Sequence, residues 1–133
     1  MPSRSGRPNP HLAVARVERH QRIIEALAAR APQAAGAAEL AKAVEVSTRT
    51  IERDVAELLE AGVPLQVRRG PGGGYALATR RRTVLSLATD EVAVLVASLV
   101  GLGPYATATA RTTLRKLLEA SQDNEQRQRD LAR

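Results

Sequence analysis

At 133 residues the chain is long enough for one domain of usual size, or for a small domain with an appendage. The absence of cysteine excludes disulfides, thiolate metal sites and cysteine nucleophiles, and with no Phe or Trp and two Tyr the core must be built from Leu, Val and Ile. The net charge of +6 falls wholly in residues 1–82 (14 basic, 8 acidic) and not in 83–133 (6 and 6), as expected if the first part alone meets a polyanion.

Residues 1–10, MPSRSGRPNP, lack the apolar core of a signal peptide and read as a disordered arm. Asn9-Pro10 predicts a helix start, and the helix runs to Arg30 with Val14, Val17, Ile24 and Leu27 as its apolar stripe. After the loop 31–36, a short helix is expected over Ala37 to Val44, with Gly36 at its cap position and Leu40 and Val44 inward. A tight turn at Glu45-Val46 leads to a third helix, capped by Ser47 and closed by Gly62. The period then changes from helix to strand. PLQVR (64–68) puts Leu65 and Val67 on one face, GYAL (74–77) answers with Tyr75 and Leu77, and a glycine-rich turn joins them.

Residues 79–84 read as a linker. Thr89 is expected to cap an apolar helix from Asp90 to Val100, which GLGP (101–104) breaks. A last helix is expected from Tyr105 to Ala120, with Ala110, Leu114, Leu117 and Leu118 inward, followed by a polar tail over 121–133 that frays or is disordered. The longest apolar run, Val92 to Val100, is about half a membrane span, so the expected protein is soluble and cytoplasmic with no membrane partner.

The third helix carries the sharpest signal. At about 100° per residue, Ile51, Val55, Leu58 and Leu59 gather on one side, and Arg49 and Arg53 lie opposite, within roughly 40° of each other. Ser47, Thr48 and Thr50 surround its N-terminus, where backbone N–H groups and the helix dipole favour a phosphate. Glu57 and Glu60 share the arginine face further along, so a helix entering a groove by its front would keep them away from DNA. The plainer reading is a solvated face with an Arg53–Glu57 pair worth a few tenths of a kcal/mol. Eighteen of the 20 basic residues are Arg, the better donor for bidentate contacts to phosphate and guanine.

The stretch AAELAKAVEVSTRTIERDVAELLEAGVPLQVRRGPGGGYAL (37–77) resembles the winged helix-turn-helix of bacterial DeoR-like transcription regulators that usually carry a C-terminal WYL domain. The shared pattern is ELA…VS.RTI.RD…L..AGVP……G.GGGY.L, and nearly every position is filled. The resemblance implies a mainly α fold with a small β-hairpin, a DNA-binding domain over 11–78 followed by a C-terminal helical extension, and double-stranded DNA as partner. It implies a recognition helix over 47–61, with DNA contact falling on Ser47, Thr48, Arg49, Thr50 and Arg53, and a wing over 64–78 with Arg68, Arg69, Gly72 and Gly73 at the backbone or a minor groove. LSLATDEVAVLVASLVGLG…ARTTLRKLLEA (85–120) resembles, more loosely, the helical connector of those regulators. The family would continue into a WYL domain beyond Arg133, so sensing is expected from that missing domain or from a separate sensor chain.

No enzyme is expected. GPGGGY lacks the GKS/T ending of a phosphate loop, Asp90-Glu91 complements a helix dipole, and Asp54 reads as a buttress for its helix or a neighbouring Arg. His11 and His20 stand alone in sequence without ligand spacing, so no metal or other cofactor is expected, and His20 reads as a helix-surface residue. Two rivals remain: a protein-interaction module working through the apolar 89–100 helix, and a DNA binder without sequence preference. That helix is apolar around much of its circumference, which predicts a homodimer through 85–120 centred on Val92, Leu95, Val96 and Leu99. The expected location is the cytoplasm, on the nucleoid when bound to DNA.

Overall fold

The computed structural model describes residues 10–78 and 82–133. The expected arm up to Asn9 and the linker positions 79–81 lie outside the described residues. The elements are α1 (Pro10–Arg30), α2 (Ala37–Val44), α3 (Thr48–Glu60), β1 (Leu65–Arg68), β2 (Gly74–Leu77), α4 (Thr89–Val100) and α5 (Ala108–Leu131), with a 3-10 turn at Gly103–Tyr105. The chain divides into two compact units, one ending at Arg82 and the other beginning at Thr83.

In the first unit three helices and the hairpin enclose one core. Ile23 and Leu27 of α1, Leu40, Ala41 and Val44 of α2, Ile51, Val55 and Leu58 of α3, and Leu65 of β1 are all buried. No aromatic is fully buried, and Tyr75 packs on the margin. Helix spacing explains most of this set, but three expected core positions fail. Val17 is 41% exposed, on a side of α1 turned away from the core, Leu59 sits at the rim, and Val67 is 56% exposed. The buried row of α1 runs through Ile23 and Leu27 instead.

Local chemistry sets the helix limits. Ser47 Oγ accepts the Thr50 N–H at 3.1 Å, the predicted cap. Glu45 ends α2 at φ 61°, a left-handed conformation that usually falls to Gly or Asn. Gly62, at φ 93°, follows the end of α3, and the Val63 N–H closes back on Leu58 C=O at 3.0 Å.

The hairpin is antiparallel, with Leu65 opposite Leu77 and Val67 opposite Tyr75. Ala35, in the loop between α1 and α2, adds a third short partner. Its N–H donates to Tyr75 C=O and its C=O accepts the Tyr75 N–H, both at 2.8 Å. Gly74 makes this approach possible, since a Cβ there would stand 2.2 Å from the Ala35 oxygen.

The second unit is an α4–α5 hairpin whose buried positions are Leu102, Thr107 and Ala110. Its boundaries differ from expectation. Thr89 is the first helical residue rather than the cap, and the Glu91 carboxylate reaches back to the Ala88 N–H at 2.9 Å. The last helix starts at Ala108, capped by Thr107, because Tyr105 closes the preceding 3-10 turn. It continues through the tail expected to fray, as far as Leu131. Arg115–Glu119 and Glu125–Arg129 pairs line it at i,i+4 spacing. Leu118, expected inward, is 41% exposed. No described helix is long and apolar enough to cross a membrane.

Candidate nucleic-acid interface

The inward side of α3 is fixed by apolar contact and by one ion pair. Asp54 is fully buried, and both of its oxygens accept from Arg19 of α1, Nη2 to Oδ1 at 2.9 Å and Nε to Oδ2. Burial opposes ionisation of this carboxyl. The hydrogen bond and charge of Arg19, together with His20, outweigh it and hold Asp54 below the ordinary carboxylate range. The same hydrogen bond raises Arg19 above its ordinary value against the effect of burial. The buttress role expected of Asp54 thus has a named partner, at the middle of α1.

His20 is not a lone surface histidine. Its side chain is only 18% exposed, and Nε2 stands 3.2 Å from Asp54 Oδ1 and 3.3 Å from Glu57 Oε2. Sequence reading missed this grouping because the imidazole and the carboxylates come from different helices, and only packing brings them together. Glu57 does not share the arginine face. It is half-buried and turned toward α1, where Arg16 also approaches it at 3.9 Å. The anticipated Arg53–Glu57 pair therefore does not form.

What remains outward is the front of α3. Thr48, Arg49 and Arg53 are exposed, and neither arginine has a hydrogen bond or ion pair among the described residues. Ser47 is exposed too, but its Oγ is engaged by the cap and lies 3.0 Å from Thr50 Oγ1. These two hydroxyls shape the helix start first. Glu52 is exposed in the second turn beside Arg53, so the front is not free of acids. A carboxylate in that position can accept from a cytosine amino group.

At the wing, Arg68 and Arg69 are exposed, and Arg68 Nη2 makes a long 3.4 Å bond to Gln66 Oε1. Gly72 is open to solvent. Gly73 has a steric role: a Cβ there would stand 2.4 Å from the Arg68 oxygen, across a turn closed by Gly73 N–H to Gly70 C=O at 2.9 Å.

In the second unit, Val92, Val96 and Leu99 are half-buried in the hairpin with α5. Leu95 is 43% exposed, and its exposed neighbours are Val94 at 66% and Val100 at 58%. The exposed large apolar residues of α4 are therefore 94, 95 and 100 rather than the whole predicted set, and at about 100° per residue they stand apart around the helix.

Residues 19–76 match the family described as an HTH domain, a span holding much of α1, all of α2 and α3, and the hairpin up to its last residue. The chain is also similar to the uncharacterized HTH-type transcriptional regulator YobV of Bacillus subtilis, 39% identical over 62 residues. That alignment covers 47% of this chain and 20% of the relative, so the chain spans about a fifth of the relative's length. No solved structure gives a significant match.

Proposed function

We propose that the chain is a sequence-specific DNA-binding transcriptional regulator of the DeoR-like, WYL-associated kind. In this reading α3 enters the major groove by its N-terminal end. Arg49 and Arg53 read base edges, Ser47, Thr48 and Thr50 lie against a phosphate, and Arg68, Arg69, Gly72 and Gly73 follow the backbone or a minor groove. The observation that carries it is the free pair Arg49 and Arg53 on the exposed side of a helix whose inner side is held by Asp54 and Arg19. A rigid helix with unspent guanidinium groups suits recognition, since little side-chain pairing must be broken before contact. The HTH similarity over 19–76 supports the same reading.

The exposed Val94, Leu95 and Val100 support a homodimer through α4, so that two recognition helices meet two half-sites. Leu95→Glu should then give a monomeric mass by light scattering while the wild type gives a dimeric one.

The deciding experiment is selection from a random duplex library at about 0.15 M salt, with Arg49→Ala/Arg53→Ala in parallel. Enrichment of one site by the wild type alone supports the proposal. Salt-sensitive binding without enrichment replaces it with a non-specific binder, and no binding at all moves the function to the exposed apolar residues of α4 and a protein partner.

A further inference from the structure

We propose that His20, Asp54 and Glu57 form a binding site for a divalent transition-metal ion, with Zn2+ the best match, that ties α1 to α3. The inference is independent of what α3 docks against.

The site begins with spacing. Asp54 and Glu57 are three residues apart on α3, which puts both carboxylates on the flank that meets α1, and His20 comes from the facing turn of α1. One ligand atom from each residue lies within 4.8 Å of the other two. The two separations that involve Nε2, 3.2 Å to Asp54 Oδ1 and 3.3 Å to Glu57 Oε2, match those of atoms sharing an ion. A tetrahedral ion with bonds of about 2.0–2.1 Å holds its ligand atoms about 3.3 Å apart.

The second observation is the state of Nε2. It is closed off from solvent and, among the described residues, has no hydrogen-bond partner, although two carboxylate oxygens stand next to it. Both oxygens therefore stand beside the axis of the ring nitrogen rather than along it. A hydrogen bond wants an oxygen on that axis. A metal–imidazole bond puts the ion on the axis and the remaining ligands to the side, which is the arrangement here.

The donor set is one imidazole nitrogen and two carboxylate oxygens, a combination suited to Zn2+. Glu57 is 36% exposed at its side chain, which leaves a path for a water as fourth ligand. Arg19 acts from behind. It binds both Asp54 oxygens and fixes the carboxylate's orientation, and each oxygen keeps a further lone pair for the ion. Arg16, 59% exposed and 3.9 Å from Glu57, is free to turn into solvent when the ion enters. The two cations weaken the site without blocking it.

The test is calorimetric titration of the full chain with zinc chloride, using wild type, His20→Asn, Glu57→Gln and His11→Asn, with folding checked by circular dichroism. One ion per chain is expected for wild type and His11→Asn. Affinity should fall about tenfold or more in His20→Asn and in Glu57→Gln. Co2+ in place of Zn2+ should give the visible absorption of a tetrahedral ion in wild type and lose it in both variants. Equal zinc affinity across all four proteins would overturn the site, as would a wild type that takes up no stoichiometric ion. Should His20→Asn fail to fold, Glu57→Gln decides alone.

Discussion

The arginines of α1 and those at the front of α3 and the wing tip have opposite fates. In α1, Arg19 is locked onto a buried carboxylate, Arg22 reaches the carbonyl of Ala43, Arg30 pairs with Glu39, and Arg16 leans on Glu57. On α3 and at the wing tip, Arg49, Arg53 and Arg69 hold nothing among the described residues. Four of the 14 basic residues in the first part are thus engaged by partners of the same fold. The part left for a partner is smaller and better placed than a net charge suggests.

The comparison breaks most sharply at Arg19. Arg19→Ala leaves Asp54 buried with its main partner gone, and should lower unfolding free energy by about 3–5 kcal/mol in urea denaturation. Acid sharpens the same point. Because Asp54 titrates below its ordinary value in the fold, the unfolded chain binds the proton more readily. The stabilisation is therefore complete above the ordinary carboxylate value of about 3.9 and is lost as pH falls through the lower folded value. Stability of the wild type should drop over that range, and that of Asp54→Asn should be flatter.

The α3 arginines should behave in reverse. Arg49→Ala or Arg53→Ala should cost about 1–3 kcal/mol in binding a selected site, with no change in the urea midpoint. Arg69→Ala should weaken all sequences alike and reduce the salt slope by about 1, measured by anisotropy across a salt series. The smallest effect belongs to Arg30→Ala. Its pair with Glu39 is solvent-exposed on both sides, and its loss should move stability by less than about 1 kcal/mol. A large loss of stability on removing Arg49, or of DNA affinity on removing Arg30, would dissolve the distinction.

The local rules were legible in the sequence. Ser47 as cap, Gly62 as stop and the glycine turn between two alternating strands each depend on a few neighbouring residues, and each stands where expected. What failed depends on tertiary packing. Val17 and Val67 have the right period for their elements, but neither position has a neighbour to cover it. His20 looked isolated because its partners arrive on another helix, and Glu57 left the arginine face for the same reason. The tail after Ala120 is helical for a different cause: its polar residues include good helix formers whose charges pair one turn apart. Of the candidate interface, Arg49, Arg53 and the wing arginines were visible from the outset, whereas Glu52 needed the exposed face itself.

The two tyrosines fall one to each unit, Tyr75 at the hairpin's anchor on Ala35 and Tyr105 half-exposed before α5. With no tryptophan to mask them, they make the chain its own pair of optical labels. Tyr105→Phe would leave emission that reports on the hairpin alone, and Tyr75→Phe emission that reports on the helical pair. The order in which the two units melt can then be read without attaching a dye.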